Sequence, residues 1–141
     1  MSNNKLTLKQ NDYEKIIDHC CSEQPYEACG IVSGVNDIVS SIWKLKNESK
    51  SLNRYFVSNE KVQNVFDEIF NKGENVLGIY HSHPIDKAYP SPEDIAFNNY
   101  PEIAQIIISF ARSSTHPDVK CFYLKGSRVI PLKVEKINEN N

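Results

Sequence analysis

The chain has 141 residues, of which 40% are hydrophobic and 24% charged, and its formal net charge is −2. That length suits one domain with a real buried core, and that balance is ordinary for a soluble globular protein. No long basic run argues for nucleic-acid binding, and no apolar segment approaches the roughly 20 residues that a bilayer-spanning helix needs.

The first stretch, "MSNNKLTLKQND", lacks the apolar core and cleavage site of a signal peptide, which points to a cytoplasmic protein. "NDYEKIIDHCCSEQ" then reads as a helix, with Tyr13, Ile16, Ile17, Cys20 and Cys21 on one stripe. Asn11 with Glu14 resembles a capping box at its start. His19 lies off that stripe and is expected at the surface. "ACGIVSGV" and "DIVSSIWKL" read as two strands of a hairpin, and "RYFVS" as a further short strand. "SNEKVQNVFDEIFNKG" carries the clearest helical signal. Ser58 is placed to cap it, Val62, Val65, Phe66, Ile69 and Phe70 form its stripe, and Gly73 ends it.

"NVLGIYHSH" is apolar on both faces, as a central strand should be. "PIDKAYP" is a loop. "SPEDIAFNNY" opens a short helix with Ser91 as N-cap and Pro92 as the first helical residue. "IAQIIISF", "DVKCFYL" and "RVIPLKVEKI" follow as three strands, with "KGS" as a turn. The expected fold is α+β, a mixed and mostly antiparallel sheet with two longer helices and one short one. Residues 1–141 are expected to form a single domain, with a tail frayed from about residue 136. The four cysteines, Cys20, Cys21, Cys29 and Cys121, contain no C-x-x-C pair and read as reduced thiols packed as small core residues.

Chemistry concentrates in "HSHPIDKAYPSPED". Residues i and i+2 of a strand share a face, with Cα atoms about 6.5–7 Å apart. His81 and His83 can therefore converge on one ion about 2.0–2.1 Å from each nitrogen, with Ser82 facing away. An isolated H-x-H is more often a pair of satisfied or surface histidines. Asp94, at the third position of the helix that Ser91 caps, makes a third ligand if the loop returns it to the histidine strand. Otherwise Ser91 and Asp94 are an ordinary capping pair. Three protein ligands leave one tetrahedral position open, the arrangement of a catalytic zinc site. Such a site needs a base for its water. Glu27, beside a strand end, fits, and spacing alone leaves Glu23 nearly as good. Ser91 can cap its helix or offer its hydroxyl to an oxyanion, two jobs that compete for one group.

Glu27 in "EACG" followed by H-x-H, seven residues and S-x-x-D resembles the motif of the JAMM (MPN+) metalloproteases, and the order of elements agrees over roughly residues 6 to 135. The resemblance implies that His81, His83 and Asp94 bind Zn²⁺, one ion per chain. It implies Glu27, rather than Glu23, as general acid/base, and Ser91 as the group that steadies the tetrahedral intermediate. The implied fold is a cytidine-deaminase-like three-layer α/β/α sandwich with a curved sheet. The implied activity is cleavage of an amide bond at the C-terminal tail of a ubiquitin-like protein, with the tail extended beside a sheet edge. The short span after Asp94 resembles small stand-alone bacterial members, several of which act on sulfur-carrier proteins and others in ubiquitin-like conjugation systems. A non-catalytic MPN-type binding module is the rival, but this chain keeps every ligand of the motif. A zinc deaminase would need the absent C-x-x-C pair. His116, Cys29 and Trp43 are expected to be structural, and Tyr89 lies where it could touch substrate.

Overall fold

A computed structural model describes residues 4–49 and 51–138. Its elements are β1 (Lys5–Lys9), α1 (Gln10–Glu23), β2 (Cys29–Val35), β3 (Ile38–Leu45), α2 (Asn59–Asn71), β4 (Asn75–His83), α3 (Pro92–Ala96), β5 (Ala104–Ser109), β6 (Asp118–Lys125) and β7 (Arg128–Ile137). The strands run in the order β1-β3-β2-β4-β5-β6-β7, and β1 closes the sheet by pairing with β7 as well as β3. β1 pairs parallel to both neighbours and β4 parallel to β5; the remaining pairs are antiparallel. The mixed, largely antiparallel sheet expected from sequence is present, curved to closure.

Alternation along the strands sorts side chains into two faces. Leu6, Leu8, Val32, Val39, Tyr80, Ile106, Cys121 and Leu132, from all seven strands, form one cluster with Ile16 and Cys20 of α1, so that cluster fills the inner face. On the outer face, Ile31 and Ile79 pack with Ile69 of α2, and Ile107, Phe122 and Leu124 pack with Ile95 of α3. Helices thus lie on both sides of the sheet, giving the three layers. No helix among the described residues is long and apolar enough to cross a membrane.

Several local expectations change. The segment Lys5–Lys9 is a strand, although its few residues gave no clear pattern. α1 begins at Gln10 with Lys9 as an N-cap that makes no side-chain cap bond, and Glu14 instead accepts from Gln10 at 3.0 Å, so the Asn11–Glu14 box is not formed. The buried face of α1 comprises Asp12, Ile16, His19 and Cys20, while Cys21 is exposed. This rotation buries His19, whose Nδ1 lies 2.6 Å from the Tyr80 hydroxyl. Ser58 caps α2 as expected, accepting from Lys61 N, but Phe70 is 81% exposed, beyond the reach of the sheet. "RYFVS" pairs with no strand and belongs to an extended loop between β3 and α2. β7 continues to Ile137, past the start of the expected frayed tail, and residues 139–141 lie outside the described residues.

Candidate metal centre

β4 lies between β2 and β5, at the centre of the outer face. Tyr80 and Ser82 point inward, so His81 and His83 point outward at the strand's carboxyl end. There the chain leaves on the crossover to the parallel strand β5, and α3 is part of that crossover. Pro84 stops the strand, and the loop brings the start of α3 back over the two imidazoles. Ser91 and Asp94 form a reciprocal capping box: Ser91 Oγ accepts from Asp94 N at 3.0 Å, and Asp94 Oδ2 accepts from Ser91 N at 2.8 Å. The box fixes the carboxylate, and its Oδ2 lies 3.2 Å from His81 Nε2 and 3.1 Å from His83 Nε2. The two Nε2 atoms are 3.2 Å apart.

The donor set can be tested chemically. His83 Nδ1 lies 2.9 Å from the carbonyl of Lys87, which can only accept, so Nδ1 carries a hydrogen and donates it. A neutral His83 then presents an Nε2 lone pair to the cluster, beside a carboxylate oxygen that also only accepts. Ligand atoms converging in this way suit a shared cation. Tetrahedral ligands about 2.0–2.1 Å from zinc lie about 3.3 Å from one another. The observed edges of 3.1–3.2 Å fit that ion. Among the described residues, His81, His83 and Asp94 are the group whose ligand atoms come together in this way. Cys29 pairs with His81 across β2 and β4 but falls outside the group, so the thiol packs.

Electrostatics follow from this geometry. Burial alone would raise the pKa of Asp94, but hydrogen bonds to His81, His83 and Ser91 N hold it well below the usual carboxylate range. Burial would lower that of His83, but Asp94 and the Lys87 carbonyl raise it. Glu27 precedes β2 by two residues. The antiparallel register of Cys29 with His81 puts it at the level of His83. Its side chain is 3% exposed, and Oε1 is buried with no hydrogen-bond partner among the described residues. Burial pushes its pKa up to about 8; His83 is the next-largest influence and lowers it, while the charges of Asp94, Asp86 and Glu93 raise it further. A buried, unpartnered carboxyl poised near neutrality beside a cation site suits proton transfer. Glu23, by contrast, ends α1 exposed on the surface.

Ser91 caps with an oxygen lone pair, which leaves its O–H hydrogen available for donation. The two jobs that seemed to compete use different parts of one hydroxyl. Sequence reasoning missed Tyr55, whose ring lies on His81 with centroids 4.9 Å apart and planes inclined by 30°. It also missed Asn47, which donates to the Glu27 carbonyl at 2.9 Å. Both sit in the loop misread as partly strand, where the only signal was a polar, hydrogen-bonding residue just past a strand end. His116 lies exposed in the loop between β5 and β6, and Trp43 donates to Ser33 Oγ at 2.7 Å, a structural bond. Tyr89 is 45% exposed at the loop that joins the ligands.

The family of prokaryotic homologs of the JAB domain matches residues 9–123. The desampylase of Haloferax volcanii is 25% identical over 116 residues, spanning 77% of this chain and 84% of that protein. The CysO-cysteine peptidase of Mycobacterium tuberculosis is 24% identical over 106 residues, spanning 74% and 73%. Among solved structures, a protein of Desulfitobacterium hafniense superposes with a TM-score of 0.84 at 28% identity, over 94% of this chain and 93% of that one. A JAMM protein described as a metalloprotease-like zinc site in the proteasome and signalosome superposes with a TM-score of 0.56 at 20% identity, over 92% and 96%. The family match over most of the chain, on this sheet and with these relatives, makes the chain a member of the prokaryotic JAB family, a small hydrolase of the JAMM/MPN class.

Proposed function

We propose that the protein is a zinc-dependent peptidase that cleaves the amide bond following the C-terminal Gly-Gly of a ubiquitin-like protein, a sulfur carrier in the first instance. The observation that carries this reading is the convergence of His81 Nε2, His83 Nε2 and Asp94 Oδ2 beside the unpartnered carboxyl of Glu27. His81, His83 and Asp94 hold one zinc ion. When bound, zinc supplies Lewis acidity, polarising a carbonyl and lowering the pKa of water.

The rest is done by the chain's own groups. Glu27 takes a proton from the attacking water at Oε1 and passes it to the leaving amine. Ser91 donates its O–H to the oxyanion that develops on the scissile carbonyl. The Lys87 carbonyl and the Ser91 backbone N–H keep the His83 ring and the Asp94 carboxylate from turning as charge moves. A glycine tail suits a narrow approach because it brings no side chains.

The substrate class is supported by the rim and by the relatives. Leu52 and Phe56 are exposed on the loop that carries Tyr55, and Ile85 and Tyr89 on the loop that joins the ligands. Exposed apolar residues on the two loops that meet the cluster suit a folded protein partner better than a free small molecule. The CysO-cysteine peptidase, by its name, acts on CysO-cysteine.

The deciding experiment incubates the enzyme with ubiquitin-like carriers extended beyond Gly-Gly and reads the products by intact mass. Loss of only the extension is the expected result. Carriers that stay intact with the zinc-loaded enzyme, while an isopeptide-linked conjugate is cleaved, would move the assignment to a conjugation system. Indifference to all of them would refute it.

A further inference from the structure

The peptide unit that carries Glu27 is held from both sides by side chains. Its carbonyl, Glu27 O, accepts from Asn47 Nδ2 at 2.9 Å, and its N–H, on Ala28, donates to Ser82 Oγ at 2.8 Å. The Glu27 carboxyl, in contrast, has a buried oxygen, Oε1, with no partner among the described residues. We propose that Ser82 and Asn47 are positioning residues that aim Glu27 at the cluster of His81, His83 and Asp94 through its backbone. This rests on the reading of Glu27 as the proton-transfer group.

The physical reason is a conflict of requirements. Hydrogen bonds to a carboxylate would fix it but would also stabilise its charged form and weaken it as a base. A base that must take up and release a proton is better placed through the chain that bears it. Ala28 precedes β2, so no strand ladder holds its amide. Ser82 supplies the missing acceptor. It is fully buried on the face opposite His81 and His83, and its own N–H donates to Ala28 O at 3.0 Å. The strand that carries both imidazoles thus grips Ala28 twice.

Asn47 holds the other side. Its Oδ1 accepts from Ser49 N at 2.9 Å and from Phe56 N at 3.1 Å, so the amide that faces Glu27 is anchored at two points. The loop so anchored carries Tyr55, which rests on His81. Glu27 is therefore tied to the ligand strand through Ser82 and to the loop above His81 through Asn47. Misplacement by about 1 Å of a group that must meet a reacting atom can cost on the order of 10²-fold in rate.

The test uses Ser82→Ala and Asn47→Ala, each alone and with Glu27→Gln, and Ser82→Thr as the variant that keeps the hydroxyl. Zinc content, kcat and KM on an extended carrier, and exchange of the Ala28 amide by NMR are measured. Both alanine variants should keep zinc and KM, with kcat lower by ~10–100-fold. Ser82→Thr should retain most of the rate. Neither alanine variant should lower the residual rate further once Glu27 is Gln, because the effect runs through that side chain. In Ser82→Ala the Ala28 amide should exchange faster while those of Ile31 and Val32 keep their protection.

Unchanged kcat, equal losses in the Glu27→Gln background, or unchanged Ala28 exchange would overturn the proposal. If Ser82→Ala does not fold, Asn47→Ala, at a half-buried loop position, decides it by the same kinetic criteria. A wild-type protein inactive on every carrier would instead sink the function reading, and Ala28 exchange would then decide whether the clamp exists.

Discussion

Glu27 is where burial and chemistry meet. Its ordinary pKa is 4.5, and in the folded protein burial pushes it up to about 8. Between those values the unfolded chain has released a proton that the folded chain still holds. The unfolded state therefore binds fewer protons, and this group's contribution to stability falls as pH rises through that window. In metal-free protein, wild-type Tm measured relative to Glu27→Gln should drop between about pH 4.5 and about pH 8. Parallel curves for the two proteins would show that the carboxyl is not held neutral. With zinc present, Glu27→Gln should keep the ion and lose turnover; a fully active variant would remove Glu27 from proton transfer. His81→Ala and Asp94→Ala each delete one of three converging ligand atoms, so both should purify without zinc and without activity. Metal analysis showing an undiminished ion in both would rule out the site.

The candidate ligand cluster was readable in the sequence because two local devices carry it. Strand alternation aligns His81 with His83, and a Ser-Pro helix start places Asp94. The same devices make α3 sensitive to Ser91. Ser91→Ala should cost about 0.5–2 kcal/mol through the lost cap. If its O–H also meets the oxyanion, kcat should fall by about 10²–10³-fold with zinc retained. A rate close to wild type, with lowered stability, would leave only the cap. What depended on register between elements was less visible. Glu27 and Glu23 look alike until β2 pairs with β4 and brings only Glu27 to the level of His83. "RYFVS" has strand composition, yet Asn47 takes the Phe56 N–H that a neighbouring strand would have used. In α1, hydrophobicity favoured Cys21 over His19, but Tyr80 offers a buried hydroxyl that only the histidine can use. Tyr80 also explains Gly30, where an added Cβ would collide with the ring. Gly30→Ala should therefore displace Tyr80 and destabilise the fold by about 1–3 kcal/mol in urea denaturation. A neutral result would mean that the ring yields freely.

Closure of the sheet is the property of the whole molecule that no local pattern announced. β1 offers five residues, and its longer pairing is with β7 at the other end of the chain, so only the folded register reveals it. That closure encloses the main core on the inner face, whereas the candidate metal centre stands on the outer face, supported by α3 and its crossover loop. With a hydrophobic core of its own, the chain is expected to fold without the ion, in contrast to small domains whose only core is a metal. Zinc should act instead as a ligand of the native state, stabilising by RT ln(1 + [L]/Kd), about 4 kcal/mol at a thousandfold excess over Kd. Chelation should lower Tm while far-UV circular dichroism at 25 °C stays that of a folded α+β protein and the thermal transition stays cooperative. Loss of secondary structure on chelation would show that the centre organises the sheet around it, and that the inner core is insufficient alone.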